Sequence, residues 1–140
     1  MGRLTSKPNQ ASLFCIALAF LLLLILPKFA LSIPPLPTEY YGFARLYGMP
    51  APPGTPITAY DSRGNICGKF LVENLGYYGT MTCRGADENY GDLGPIENEQ
   101  IYFKVGTFPA TVLNATNQTF NFSRWYSGTF MEVNLVSPPL

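Results

Sequence analysis

From Tyr40 onward, apolar and polar side chains alternate in short runs bounded by glycine, proline, asparagine and aspartate. Alternation with period two marks strands that bury one face. The runs predict strands over 40–47, 55–60, 66–72, 77–84, 101–105, 108–113 and 122–126, and 130–136 closes the domain. Between them lie a stiff loop at 48–54, a turn at 61–65, a polar loop at 85–100, a turn at Gly106, a polar stretch at 114–121 and a Ser127-Gly128 turn. No window after residue 32 holds a helical period over three turns. Short strands at this spacing predict an all-β sandwich or barrel. Phe103 and Val105 share one face of their strand, as do Val133 and Leu135. With Ile57 and Trp125 they form the predicted core.

The first 32 residues follow a different pattern. Arg3 and Lys7 precede an apolar run from 11 to 26, which Pro27 and Lys28 end. Ala30 and Ser32 then place small residues where a signal peptidase reads them. This predicts an apolar helix acting as a secretory signal, cleaved after Ser32. The alternative is an uncleaved membrane anchor, for which the run falls short of the roughly 20 residues a span needs. Residues 33–39 are a proline-rich lead-in, and 40–137 form the predicted domain. The expected location is therefore secreted or cell-surface, with contact to a membrane only through 11–26 if they are retained.

Charge and composition narrow the chemistry. Residues 33–140 carry six Lys or Arg against nine Asp or Glu, a net −3 that gives nucleic acid no footing. The chain has no histidine, which removes His-dependent triads, His zinc ligation and imidazole acid–base work. Ser62, Ser123 and Ser127 lack an SxxK partner. The expectation is a protein without enzymatic activity.

After the signal, two cysteines remain, and in an exported chain they are expected to pair. Cys67 and Cys83 stand symmetrically about Leu75, so a hairpin turning there sets one opposite the other. One face of that hairpin carries Cys67, Lys69 and Leu71 with Cys83, Met81 and Gly79. The other carries Gly68, Phe70 and Val72 with Thr82, Thr80 and Tyr78.

Several segments, in order, resemble a known kind of module. They are Tyr41-Gly42, the run 48–55, Ile57 to Tyr60, Cys67-Gly68, Gly76-Tyr77-Tyr78-Gly79, the run 101–106 with Pro109-Ala110, and Trp125 with Ser127-Gly128. Together they resemble the carboxypeptidase-regulatory-like, transthyretin-like β-sandwich surface modules of secreted archaeal and bacterial proteins. The resemblance implies a single antiparallel Greek-key sandwich of about seven strands with no catalytic role. The polar stretch 114–121 departs from that pattern.

Three constellations remain as candidate sites. Asn114 with Thr116, Asn117 with Thr119 and Asn121 with Ser123 are glycosylation sequons. Asp87, Asn89 and Asp92 gather oxygen ligands for calcium, the one cofactor to weigh, although the EF-hand spacing is broken. Tyr40, Tyr41, Tyr77, Tyr78, Tyr90 and Trp125 offer an aromatic platform for sugars, one ring of each Tyr-Tyr pair facing outward. The sequence thus points to a noncatalytic surface module for structure, adhesion or recognition, with a surface protein or glycan as partner. A carbohydrate-binding module, calcium-dependent or not, is the alternative, and a small hydrolase is the third reading.

Overall fold

The computed structural model of the chain describes residues 33–87, 91, 93–114 and 116–137. The apolar helix expected before residue 33 lies outside them. Eleven strands form: β1 (Thr38–Leu46), β2 (Met49–Pro50), β3 (Pro56–Tyr60), β4 (Ile66–Leu71), β5 (Tyr77–Cys83), β6 (Gln100–Val105), β7 (Phe108–Leu113), β8 (Thr119–Phe120), β9 (Ser123–Arg124), β10 (Phe130–Glu132) and β11 (Asn134–Ser137). Among the described residues the fold is all-β, as the alternation predicts. The count exceeds the eight predicted runs for two reasons. Short strands β2 and β8 arise within expected loops, and the last run breaks at Val133 into β10 and β11.

All strands belong to one curled, mixed sheet. Its path runs β4-β3-β6-β7-β11-β1, with β10 continuing β11 along β1 and β5 on the other side of β1. β10 and β11 run parallel to β1, which corrects the expectation of a purely antiparallel sheet. The last segment reaches β1 only after crossing from β7, so it arrives in the same direction as β1. Tyr41 keeps the two pieces on one track by accepting a hydrogen bond from the Val133 N–H at 2.8 Å. Gly42 beside this junction has φ +151°, and a Cβ there would stand 2.6 Å from the Val133 carbonyl oxygen. Only glycine allows the last strand so close.

The sheet curls until its two ends, β4 and β5, meet. Cys67 and Cys83 are bonded there, as expected, with their α-carbons 4.6 Å apart. The expected hairpin ladder is not formed, however. β5 pairs with β1 and β4 with β3, while the Asn74–Tyr77 turn joins them. Across the seam, the Arg84 N–H donates to the Cys67 carbonyl at 3.1 Å. A Cβ on Gly68 would lie 2.7 Å from the Thr82 oxygen, so glycine sets how close the seam comes. The expected hairpin faces also need correction. Gly79 and Thr80 together stand opposite Tyr41, and this bulge switches the phase of β5. Tyr78 and Met81 both point inward, while Thr80 and Thr82 face out.

The predicted core residues Phe103, Val105, Val133, Leu135, Ile57 and Trp125 are all buried. Burying each large apolar side chain contributes about 1.5–3 kcal/mol. Tyr40 meets Phe103 edge-on at 5.4 Å, a favoured aromatic geometry. The buried polar tips are satisfied: the Tyr40 hydroxyl donates to the Arg124 carbonyl at 2.9 Å, and the Tyr78 hydroxyl donates to the Val133 carbonyl.

Candidate recognition face

The outer side of β4, β3 and β6 follows directly from alternation. In β3, Ile57 and Ala59 point into the core, while Pro56 is exposed and Tyr60 is half-buried at the rim. Thr58, on the outer side yet itself buried, is paired with Lys69 of β4 on one side and Lys104 of β6 on the other. Tyr60 pairs with Tyr102. The Lys104 ammonium stands 4.9 Å from the Tyr60 ring centroid, a cation–π contact. Tyr60, Tyr102, Lys104 and Pro109 border a shallow depression of about 410 Å³. A neighbouring one of about 220 Å³ lies beside Pro56, Thr58, Lys69 and Leu71.

One end of this face is fixed by a charged clamp. Asp61 has a fully buried side chain. It accepts hydrogen bonds from the Arg63 and Asn65 backbone N–H groups at 2.9 and 2.8 Å and from Asn65 Nδ2 at 2.9 Å. Arg63 adds Nε and Nη2 at 3.1 and 2.8 Å. The same Arg63 Nη2 reaches the Leu93 and Gly94 carbonyls at 2.9 and 2.7 Å, tying the 85–100 loop to the β3–β4 turn. Glu99 accepts from the Ser62 hydroxyl and from the Ile96 N–H. Burial alone raises the Asp61 pKa, but the Asn65 and Arg63 hydrogen bonds and the Arg63 charge outweigh it and hold the carboxyl below its usual value. Glu99 is lowered in the same way: burial opposes the shift, and the bonds from Ser62 and Ile96 with the Arg63 charge prevail.

The residues singled out from sequence fare unevenly. The aromatic platform does not assemble as expected. Tyr40, Tyr78 and Trp125 are buried because their strands turn those positions inward, and Tyr90 lies outside the described residues. Their neighbours face outward instead. Tyr41 stacks on Phe130 at 4.6 Å, and Phe43 meets Tyr77 edge-on at 5.5 Å. Of the calcium candidates, Asp87 is half-buried, while Asn89 and Asp92 lie outside the described residues. Asn114 uses its side chain locally: Oδ1 accepts from the Thr116 N–H and hydroxyl and from the Gln118 N–H, and Nδ2 donates to Gln118. Asn117 and Asn121 are exposed. Asn114 and Asn117 line a small depression of about 180 Å³ with Phe43, Arg45 and Asn134.

Sequence reasoning missed the Asp61–Arg63–Glu99 clamp and the Lys69–Thr58–Lys104 row. The 61–65 segment carried a turn signal only, and Glu99 is far away in sequence. The two lysines meet Thr58 only once the β3–β6 and β3–β4 registers are known. No family model matches the chain, and neither a curated protein nor a solved structure matches it.

Proposed function

We propose that the chain is an exported, noncatalytic β-module of cell-surface structure, adhesion or recognition. The observation that carries this reading is the number of aromatic rings held on the outside of a sheet whose interior is filled by side chains. Tyr41 with Phe130, Phe43 with Tyr77, and Tyr60 with Tyr102 all lie on outer faces. Rings placed outward in neighbouring pairs are the usual contact groups of binding surfaces. The Cys67–Cys83 bond is compatible with an oxidising, extracellular setting. Reading the curled sheet as a Greek-key sandwich of the carboxypeptidase-regulatory-like kind rests on the sequence resemblance.

The carbohydrate-binding reading is favoured by the depression that Tyr60 and Tyr102 border, where two neighbouring tyrosines line the surface open to a sugar. A glycan array and a cell-adhesion assay on the exported chain, run beside a panel of hydrolase substrates, test both. Binding without turnover supports a recognition module. Turnover of any substrate overturns the noncatalytic reading.

A further inference from the structure

Lys69 and Lys104 are the only two lysines among residues 33–140, and the fold places both on one outer face, either side of Thr58. Strands lie about 4.8 Å apart, so the two lysine backbones stand roughly 10 Å apart across the sheet. Among the described residues the ion pairs are those of Arg63 with Asp61 and Glu99, and neither lysine joins one. A module with a net negative charge thus holds both ammonium groups outside any ion pair on one face, with Lys104 resting over the Tyr60 ring. Next to this row, Tyr60 and Tyr102 form a second pair across the same strands.

We propose that the outer face of β4, β3 and β6 binds an anionic polysaccharide. Its carboxylate or sulfate groups meet Lys69 and Lys104, and its sugar rings lie against Tyr60 and Tyr102. The proposal rests on the recognition reading above and names the ligand class for it.

Charge complementarity argues for the anion. The acidic residue bordering the depression is Asp61, and its carboxylate is already saturated by Arg63 and Asn65. Among the described residues lining the two depressions, the face therefore presents two cations outside any ion pair, Lys104 resting over the Tyr60 ring, and no carboxylate besides Asp61. Spacing argues for a polymer with separated charges. Two lysines roughly 10 Å apart suit a polymer with charges repeated along its sugar units. The tyrosines argue for sugar. A flat ring offers an apolar face to the C–H side of a pyranose, and the Tyr102 hydroxyl, 2.6 Å from Gln100 Oε1, adds a polar rim. The openness of both depressions suits a ligand lying along the surface.

The exported chain is tested by affinity electrophoresis and calorimetry. The probes are polygalacturonate, its methyl ester, dextran sulfate, dextran and vesicles of anionic phospholipid. Binding to polygalacturonate or dextran sulfate is expected, with none to the methyl ester or to dextran. Binding should vanish near 1 M salt, where the Debye length falls to about 3 Å. Lys69→Gln and Lys104→Gln should each weaken it about tenfold, the scale of one charge-assisted hydrogen bond. Lys69 is exposed, so Lys69→Gln should leave Tm unchanged, whereas Lys104 is half-buried over the Tyr60 ring, so Lys104→Gln should lower Tm slightly. Tyr102→Ala should weaken binding without changing its salt dependence.

Equal binding to the methyl ester, unchanged affinity in the double lysine variant, tighter binding to vesicles than to any polysaccharide, or no binding to any probe overturns the proposal. Binding to neutral glycans on the array, insensitive to the lysines, overturns it while leaving the recognition reading intact. Turnover on the substrate panel overturns that reading by itself.

Discussion

The indole Nε1–H of Trp125 donates to the carbonyl oxygen of Cys83 at 3.0 Å. One buried side chain thereby holds the end of β5 at the point where the disulfide closes the sheet. Gly85, two residues further on, lies flat against the same indole, and a Cβ there would stand 2.5 Å from the ring. Trp125→Ala should destabilise the fold by about 3–5 kcal/mol, the range for emptying a large aromatic site. Trp125→Phe should retain part of that packing and still lose the hydrogen bond. Gly85→Ala should destabilise through the clash alone. Chemical denaturation of the three variants checks the order. Native Trp125 fluorescence should be blue and shielded from iodide; a red, readily quenched emission would mean that the indole is exposed.

The disulfide matters more than the short loop it closes would suggest. The seam it spans has no ladder to replace it. Bonding residues 16 apart is worth about 3 kcal/mol in loop-closure entropy. Cys67→Ala with Cys83→Ala should therefore cost about 2–5 kcal/mol. Reductant should lower the Tm of the native chain and leave that of the double variant unchanged. An equal shift in both would place the effect outside this bond.

Strand positions and core membership were largely legible in the sequence, because alternation is a local property. Phe103, Val105, Val133 and Leu135 could be assigned inward without knowing any partner. Pairing was not legible. The symmetric cysteines pointed to the right contact and to the wrong ladder: nothing local says that β1 satisfies β5 better than β4 does. The bulge at Gly79 and Thr80 likewise exists only against Tyr41. The same limit hid the lysine row, since Lys69 and Lys104 become neighbours of Thr58 through two separate registers. Tyr pairs were correctly split between faces, yet which member turned inward depended on the phase of each strand.

Acid should unfasten the Asp61 clamp. Both Asp61 and Glu99 have folded pKa values below their unfolded ones. Their contribution to stability is therefore complete above the unfolded carboxyl values, about 3.9 and 4.3. It is lost as pH falls from there through the lowered folded values. Asp61→Ala should cost about 1–3 kcal/mol at neutral pH, because the Asn65 and Arg63 donors lose their acceptor. It should also flatten the loss of stability below about pH 4. Denaturant midpoints measured from pH 7 to pH 2 decide the matter, and an unchanged acid slope in the variant would sink the assignment.

At the other end of the scale, two buried phenols should set the alkaline limit. Burial raises the pKa of both Tyr40 and Tyr78 well above the ordinary tyrosine value, and for Tyr78 the nearby Tyr40 and Glu132 add to it. In each case the neutral form is the one the core holds, with its hydroxyl donating to a backbone carbonyl. The folded pKa exceeds the unfolded value of about 10, so full stability is present below that pH. It declines as pH rises above it, because only the unfolded chain can ionise the two groups. Of the nine tyrosines, Tyr40 and Tyr78 should not titrate by phenolate absorbance until the chain unfolds. Tyr78→Phe should leave the Val133 carbonyl without its donor and cost about 1–2 kcal/mol at neutral pH. The same variant should lose less stability between about pH 10 and pH 12 than the native chain does. Reversible titration of all nine phenols near pH 10 in chain that stays folded would show that solvent reaches both hydroxyls, and the closed core drawn around Tyr40 and Tyr78 would have to be abandoned.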